Sequence, residues 1–273
     1  MTTTNAPAEP NPELVIRKLD QHITIFSTPF MRGPIPFGGR STAISLKDGS
    51  VFLAASTPLD PPTLDTITSM GQVKHIAVFD SEHTMYTPQY RKAFPDAHLY
   101  LPSGAVTKFE KNDPSVLPSD KSLLTVFGTE NTTGERGASG AEDPLSKATG
   151  GEVQSADFGK AFVNEDIAFY HGPSKTMIQA DLLFNLPPTE QYSRSSSRST
   201  LPLISSAFQP GKTLQQRMLY HGLAKDKAEM KRMAERVEGW DFDRIIPCHG
   251  DVIDSGGKKA WIDTYKLFLD PQH

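Results

Sequence analysis

The stretch HIAVFDSEHTMYTPQY, residues 75–90, joins a short apolar run to a group of polar side chains. The run IAVF is typical of a buried strand, and it ends at Asp80, Glu82 and His83. Loop residues that directly follow a buried strand are held rigidly by the sheet, so carboxylates and an imidazole there indicate a functional site. An aspartate after a strand is also a common turn or cap residue, which leaves a polar loop as the alternative.

Two other predicted strands end in the same kind of residue. Asp181 follows the run KTMIQA, and His249 follows RIIPC. Carboxylates and imidazoles from three strand ends are the ligands that a divalent metal ion needs. The three ends together therefore favour a metal site more than any one of them alone.

Composition excludes several classes of protein. The chain of 273 residues has a formal net charge of −4, which gives no basic footprint for a nucleic acid. It has one cysteine, Cys248, so an internal disulfide framework is excluded and a reducing compartment is favoured. No signal peptide and no membrane span is visible in the sequence. We expect a cytoplasmic protein whose partner is a small-molecule substrate, with neither nucleic acid nor membrane.

The sequence predicts a single domain over residues 13–273, after a disordered polar leader at residues 1–12. Two stretches rich in Gly, Ser, Thr, Pro and charged residues, near 128–151 and 187–202, are predicted as flexible insertions because they bury little apolar surface. The second contains SRSSSR, a surface loop or a phosphorylation site.

The remaining chain alternates between strand and helix patterns. HITIFSTPF and the two halves of STAISLKDGSVFLAAST read as antiparallel strands, the latter around an Asp-Gly turn. PPTLDTITSMG has proline at its start and glycine after its end, which indicates a helix. Paired strands are expected at KAFVNEDIAFYH and KTMIQADLLFN, and helices near the C-terminus. This order predicts sheets covered by helices, an α/β sandwich.

From about residue 14 to 265 this order of elements resembles the metallo-β-lactamase superfamily. In that superfamily the loop after the HIAVF-type strand carries His-x-His-x-Asp-His, and the chain has Val78, Asp80, Glu82 and His83 at these positions. The family's bridging aspartate and late histidine correspond to Asp181 in IQAD and His249 in PCHGD. The family's remaining histidine has no clear counterpart.

His171 in FYHGPSKT is the nearest candidate for that missing histidine, although it is close to Asp181 in sequence. The resemblance implies a four-layer αβ/βα sandwich with a reduced, mononuclear site. One divalent metal ion would be bound by Glu82, His83, Asp181 and His249, with zinc first and manganese or iron as alternatives. Asp80 would be a further ligand or the general base.

The implied activity is metal-dependent hydrolysis of an ester, lactone, thioester or amide-type bond in a small molecule. Loss of half of the family's motif also fits a metal-free pseudoenzyme or a ligand- or partner-binding protein, and redox or lyase chemistry stays open. The early hairpin region of the family can cover the substrate, which makes Phe30, Met31, Ile35 and Phe37 candidate pocket residues. Packing of that loop on the sheet is the alternative.

The other histidines and the cysteine are expected to be structural. Adjacent residues of an extended segment point to opposite faces, so Cys248 is predicted to be a small buried residue and not a partner of His249. The same structural role, in the core or at the surface, is expected for His22, His75, His98 and His221.

Overall fold

The computed structural model describes residues 10–128, 143–197, 199–200 and 202–270, with the backbone alone at 202–204. Its strands in chain order are β1 Val15–Lys18, β2 Ile23–Thr28, β3 Met31–Arg32, β4 Ile35–Pro36, β5 Gly39–Ser45, β6 Ser50–Ala54, β7 Gln72–Ala77, β8 His98–Pro102, β9 Leu124–Phe127, β10 Val153–Asp157, β11 Ile167–His171, β12 Thr176–Gln179 and β13 Arg244–Pro247. The helices are α1 Pro61–Met70, α2 Thr87–Ala93, α3 Ser103–Asn112, α4 Pro144–Ala148, α5 Pro202–Ala207, α6 Thr213–Arg217, α7 Lys227–Glu238, α8 Gly257–Thr264 and α9 Lys266–Leu269, with a π-helical turn at Met218–Leu223.

The strands form two mixed sheets and a small hairpin. The first sheet has the order β1-β2-β5-β6-β7-β8-β9, antiparallel up to β6 and parallel from β6 onward. The second has the order β10-β11-β12-β13, in which only the last pair is parallel. The hairpin pairs β3 with β4. The predicted turn between β5 and β6 is present, with Gly49 at φ 79°, a conformation that glycine adopts without strain.

Three apolar layers hold the sheets and helices together. The two sheets face each other across one layer, in which the rings of Phe52 and Phe169 lie 5.4 Å apart. A second layer joins the first sheet to α1, α2 and α3 through buried residues such as Ile67, Tyr90 and Phe109. A third joins the second sheet to the C-terminal helices. The four-layer αβ/βα sandwich expected from the sequence is therefore confirmed.

Several described residues of the two predicted insertions are packed against the domain. Residues 144–148 form helix α4, and the side chain of Leu145 on this helix is fully buried. Asp143 caps this helix and also accepts hydrogen bonds from Ser155 on β10. Gln191 and Tyr192, within 187–202, are buried as well. Isolated apolar and amide side chains in a polar segment gave too weak a pattern to predict this burial.

Other predictions concern residues that lie outside the described ranges. Residues 1–9 of the predicted leader and residues 129–142 of the first insertion are among them, as is Arg198 at the end of SRSSSR. None of the helices in the described part of the chain has the length and hydrophobicity needed to cross a membrane.

Candidate metal centre

Asp80 organises the loop after β7 with both of its carboxylate oxygens. Its side chain is fully buried, and Oδ1 accepts hydrogen bonds from the backbone N–H groups of Glu82 and His83 at 2.7 and 2.8 Å. Oδ2 accepts from Nδ1 of His83 at 2.7 Å. Asp80 therefore forms the turn expected of a polar loop, and it also fixes the orientation of the His83 ring.

The ring of His249 is fixed in a comparable way after β13. Its Nδ1 donates to the backbone carbonyl of Gly38 at 2.6 Å. Phe30 and Phe184 stack on the ring with centroid distances of 6.0 and 5.9 Å, and Phe37 contacts it edge-on at 5.5 Å. These contacts do not involve Nε2, the second nitrogen of the ring.

The remaining nitrogens of the two histidines face each other beside Asp181. Nε2 of His83 lies 3.0 Å from Nε2 of His249, which lies 3.3 Å from Oδ1 of Asp181. Because both Nδ1 atoms donate to oxygen acceptors, each neutral ring presents a lone pair at Nε2. Nε2 of His249 therefore lies close to two other acceptor atoms, and a proton or a cation is needed between each pair.

These distances fit a tetrahedral metal ion. With metal–nitrogen distances of about 2.0–2.1 Å, two ligand atoms of a tetrahedron are about 3.3 Å apart. The partners of the two Nδ1 atoms, a carboxylate and a backbone carbonyl, are those that metal-binding histidines commonly have. The separations of 3.0 and 3.3 Å and the partners of the two Nδ1 atoms make His83, His249 and Asp181 candidate metal ligands.

Charges and hydrogen bonds at the site shift the pKa values of its residues in the direction opposite to the effect of burial. Burial lowers the pKa of His83, but the charges and hydrogen bonds of Asp80 and Cys248 together outweigh it and raise that pKa well above the ordinary value. The pKa of His249 is also raised against burial, by the charge of Cys248 and the hydrogen bond to Asp181. Burial disfavours ionised Asp181, yet the hydrogen bond from His249 and the charges of both imidazoles lower its pKa to about 2. The arrangement thus stabilises a positive charge at the point where the acceptors meet.

Cys248 belongs to the same cluster, which the sequence did not predict. It is buried as expected, but its sulfur and one nitrogen each of His83 and His249 lie within 4.8 Å of one another. Burial raises the pKa of the thiol, and the two histidines outweigh this and lower it to about 6. The strand β13 ends at Pro247, so the alternation of an extended segment does not apply at the next two residues.

Two buried side chains hold the loop that carries Cys248 and His249. The guanidinium of Arg40 donates to the carbonyls of Pro247 and Gly250 at 2.5 and 2.7 Å. The amide of Gln191 donates to the Cys248 carbonyl at 2.7 Å and accepts from Gly250 N at 3.0 Å. Gly250 has φ 94°, and a Cβ there would lie 2.2 Å from the carbonyl oxygen of Asn185. This turn therefore requires glycine.

A second pair of residues missed in the sequence lies behind the carboxylates. The amide of Asn164 donates to Asp80 and Asp181, and Oδ2 of Asp166 accepts from the backbone N–H of Asp181 at 2.6 Å. Burial and the charges of Asp80 and Asp181 raise the pKa of Asp166 well above its ordinary value. The NED sequence before β11 carried no recognisable signal, because its role depends on contacts with distant residues.

The structure brings together His83, Asp181 and His249, but not the other two candidate ligands. Glu82 is exposed and, in the described part of the chain, lies outside the groups close enough to share an ion. His171 is at the far end of β11, paired with the first residue of β12, whereas Asp181 follows the end of β12. A strand of this length separates them by roughly 16 Å.

A pocket of about 390 Å³ opens onto the two histidines. Its lining residues are Phe30, Arg32, Gly39, Ser56, Glu82, His83, Thr84, Met85, Tyr86, Lys108 and His249. Of the predicted pocket residues, Phe30 lines it and Phe37 lies behind His249. Met31 is exposed and its sulfur accepts a hydrogen bond from Tyr192, and Ile35 is half-buried on the hairpin.

The fold of the chain is that of the metallo-β-lactamases. A metallo-β-lactamase from Erythrobacter litoralis, with β-mercaptoethanol in its active site, matches with a TM-score of 0.58 and 11% identity over 94% of this chain and 96% of that one. The enzyme from Pontibacter korlensis matches with a TM-score of 0.55 and 13% identity over 94% and 99%. FIM-1 from Pseudomonas aeruginosa, in a mono-zinc form, matches with a TM-score of 0.55 and 12% identity over 93% and 94%.

Sequence comparison alone does not detect this relationship. No protein-family model matches the chain, and no curated protein matches it either. At identities of 11–13% the structural matches establish the α/β fold with two mixed sheets flanked by helices. The activity has to be argued from the site itself.

Proposed function

We propose that this protein is a metal-dependent hydrolase that binds one divalent ion through His83, His249 and Asp181. The observation that carries the proposal is that Nε2 of His249 lies 3.0 Å from Nε2 of His83 and 3.3 Å from Oδ1 of Asp181. Both imidazoles are already oriented by hydrogen bonds from Nδ1. The ordering that metal binding requires is therefore largely present in the folded chain.

The donor set favours zinc over manganese or iron. Two imidazoles and one carboxylate are the protein ligands of many catalytic zinc sites, and the nearby thiol of Cys248 is a soft donor that zinc accepts and manganese does not favour. When bound, such an ion supplies Lewis-acid polarisation and lowers the pKa of water. The protein's contribution is the fixed ligand geometry and an adjoining pocket for the substrate.

In this proposal Asp80 orients His83 and is not the general base. Its Oδ2 is shared by His83 and the amide of Asn164, and its Oδ1 by two backbone N–H groups. A carboxylate with four donors around it is poorly placed to take a proton from a substrate or water. A carboxylate behind a metal-binding histidine instead fixes the ring and increases its basicity.

The pocket favours a small substrate with an anionic group and an apolar part. Arg32 and Lys108 line the pocket from the hairpin and from α3. Phe30 and Tyr86 provide aromatic surface beside them. Arg32 lies close enough to Asp181 to help lower its pKa, and so its charge acts at the metal-binding end of the pocket. The proposed substrates are esters, lactones, thioesters or amides that carry a carboxylate or phosphate group.

The first test measures metal content and hydrolysis together. Protein stripped with a chelator and given zinc is expected to retain one equivalent by mass spectrometry and to hydrolyse members of an ester, lactone and thioester panel. Both properties are lost in Asp181→Ala/His249→Ala. The matched control, Glu152→Ala/His171→Ala, also removes one carboxylate and one imidazole, at the opposite edge of the second sheet. This control is expected to retain both the zinc ion and the hydrolytic activity. Zinc retained by the first variant contradicts the proposed site.

The second test concerns the anionic group. Arg32→Gln and Lys108→Gln are expected to raise KM about tenfold or more for a hemisuccinate ester, and to leave KM unchanged for the acetate ester of the same phenol, because only the first carries a charge for them to bind. Lys111→Gln is the control, since Lys111 lies on the same helix and does not line the pocket. Equal effects on both esters would show that these cations do not select the substrate.

A metal-free ligand-binding protein is the second candidate. It is favoured by the contacts that the site residues make with one another, since a proton shared among His83, His249 and Asp181 would also satisfy them. This candidate predicts no bound ion after reconstitution with zinc, manganese or iron. It also predicts that phenylacetate binds the pocket equally well with and without a chelator.

A further inference from the structure

The side chain of Asn164 joins the two buried carboxylates of the site. Its Nδ2 donates to Oδ2 of Asp80 at 2.9 Å and to Oδ2 of Asp181 at 2.7 Å. All three side chains are buried, with 6% of Asn164, 0% of Asp80 and 6% of Asp181 exposed. One amide group therefore supplies a hydrogen to each of two carboxylates in a region largely closed to water.

The chemistry of the neighbours fixes which end of the amide faces them. Carboxylates only accept hydrogen bonds, so the NH₂ end must point toward Asp80 and Asp181. The carbonyl oxygen of Asn164 is buried and has no hydrogen-bond partner among the described residues. A buried acceptor without a partner costs about 1–3 kcal/mol, so the two donated bonds are what holds the side chain in this position.

The same carboxylates form a second group that could bind an ion. Asp80, His83 and Asp181 offer ligand atoms within 4.8 Å of one another, and this group shares His83 with the cluster that contains His249. Two buried carboxylates this close normally bind a cation, or one of them takes up a proton. Asn164 gives them two hydrogen-bond donors without a positive charge.

The backbone around Asn164 prevents it from turning away. Glu165 has φ 61°, a left-handed conformation that is unfavourable for a residue with a Cβ. Its carboxylate accepts hydrogen bonds from the hydroxyl of Ser103 and the backbone N–H of Gly104, both at 2.8 Å, at the start of α3. Asp166 on the other side is bonded to the backbone of Asp181. Glu165 and Asp166 thus anchor the backbone directly after Asn164, and the amide of Asn164 is directed at the two carboxylates.

We propose that the carboxamide of Asn164 takes the place of a second cation between Asp80 and Asp181, and so limits the site to one metal ion. Asn164 is a positioning residue in this account, because it touches the carboxylates and not the substrate. The inference rests on the proposed function for the first ion. It adds that a hydrogen-bonding group of this chain closes the adjoining position.

The experiment compares the metal content of the wild-type protein and Asn164→Asp. The substitution replaces two donors by a third carboxylate of nearly the same size, so the variant should bind one zinc or manganese ion more than the wild type. Both proteins are stripped, saturated with the metal, desalted and measured by mass spectrometry. Asn112→Asp adds the same charge at the exposed end of α3 and should bind no additional ion.

The outcomes separate this inference from the proposed function. The proposed function predicts one ion in the wild type, and none there would contradict it. The present inference predicts one ion more in the variant than in the wild type, and no more than one ion in the wild type. Equal metal content in Asn164→Asp and the wild type, or two ions in the wild type, would overturn it.

If the third carboxylate prevents Asn164→Asp from folding without metal, thermal unfolding provides a second measurement. Asn164→Asp should then unfold at a temperature that rises with added zinc or manganese by more than that of the wild type, because the ion neutralises three carboxylates. The inference is contradicted if added metal raises the unfolding temperature of the variant no more than that of the wild type. Asn164→Ser, which removes one of the two donors and opens space, is tested in the same way if the aspartate variant does not fold under either condition.

Discussion

His83 and His171 lie near opposite edges of the second sheet, where its strands end, and their surroundings give them opposite properties. At the edge with the candidate metal centre, called here the metal-binding edge, the pKa of His83 is well above its ordinary value, because the charges and hydrogen bonds of Asp80 and Cys248 together outweigh burial. At the far edge the pKa of His171 falls to about 4, chiefly through burial and then through the charge of His22. Both histidines have a carboxylate nearby, so proximity to an acid does not by itself explain the difference.

The two histidines differ in the distance from the ring to the carboxylate and in what the second ring nitrogen faces. Asp80 accepts from His83 at 2.7 Å, whereas the nearest Glu152 oxygen is 4.0 Å from Nε2 of His171. That oxygen and that nitrogen are both buried without a hydrogen-bond partner. At the metal-binding edge Nε2 of His83 faces His249, whose own Nε2 lies beside Asp181. A buried histidine is a candidate ligand when one nitrogen is oriented by a partner and the other faces further acceptors.

Zinc should stabilise the protein through the metal-binding edge alone. At a free zinc concentration of about 1,000 times Kd, binding adds about 4 kcal/mol to the free energy of unfolding. The rise in Tm on adding zinc should disappear in His249→Ala and persist in His171→Ala. Differential scanning calorimetry with and without the metal measures both. A rise that is lost in the His171 variant instead would reverse the roles of the two edges.

Acidification should destabilise the metal-free protein through the far edge. The folded-state pKa of His171, about 4, lies below the value of about 6.5 for an unfolded chain, so the unfolded state binds more protons between these pH values. The free energy of unfolding should therefore fall by roughly 3 kcal/mol from this residue as the pH decreases from 6.5 to 4.

His171→Gln should remove that part of the slope, which urea unfolding at several pH values measures. The same substitution at the other edge, His83→Gln, provides the comparison with the opposite sign. The folded-state pKa of His83 is raised, so its contribution is fully present below about pH 6.5 and is lost as the pH rises through the folded value. If both substitutions change the slope in the same direction, the assignment of opposite environments is wrong.

Asp80→Asn should weaken metal binding without abolishing it. The amide keeps the size of the side chain but loses the negative charge that orients His83, and loss of such a partner typically lowers metal affinity by about 10–100-fold. Calorimetric titration with zinc measures the change. Glu152→Gln makes the same substitution at the far edge and should leave the affinity as it is. An unchanged affinity in Asp80→Asn would contradict the orienting role.

The smallest expected effect concerns the loop that holds His249. Gln191→Ala removes the hydrogen bonds to Cys248 and Gly250, and about 1–2 kcal/mol of unfolding free energy should be lost with them. Gln154→Ala, at a half-buried position on β10, is the control and should change stability by less than about 0.5 kcal/mol. Chemical denaturation distinguishes the two. Equal effects would show that Gln191 does not specifically support this loop.

Much of the fold was predictable because its signals are local. The apolar run before Asp80, the turn at Gly49 and the proline and glycine that bound α1 all follow from short-range pattern. Asp181 and His249 were predictable as a pair, since they follow the parallel neighbours β12 and β13, whose ends meet at one edge of the second sheet. Asp80 follows β7 in the first sheet, and its place beside them followed from the resemblance of element order. The resemblance of element order then supplied the fold, which the structure confirms.

The parts of the site that were not predictable depend on long-range contacts. Asn164 meets Asp80 across 84 positions of sequence, and Arg40 meets Gly250 across 210. An asparagine in a loop and an arginine in a strand carry no pattern that indicates such partners. Cys248 was assigned to the core correctly, but the direction of its side chain depends on a strand that ends one residue earlier.

The central claim is that Nε2 of His83, Nε2 of His249 and a carboxylate oxygen of Asp181 bind one ion between them. An anomalous-difference map recorded at the zinc absorption edge, from crystals grown with zinc, tests it most directly. We expect a single peak at about 2.0–2.2 Å from each of the three atoms. A map without a peak there, with the two imidazoles and the carboxylate bonded only to one another, would contradict it.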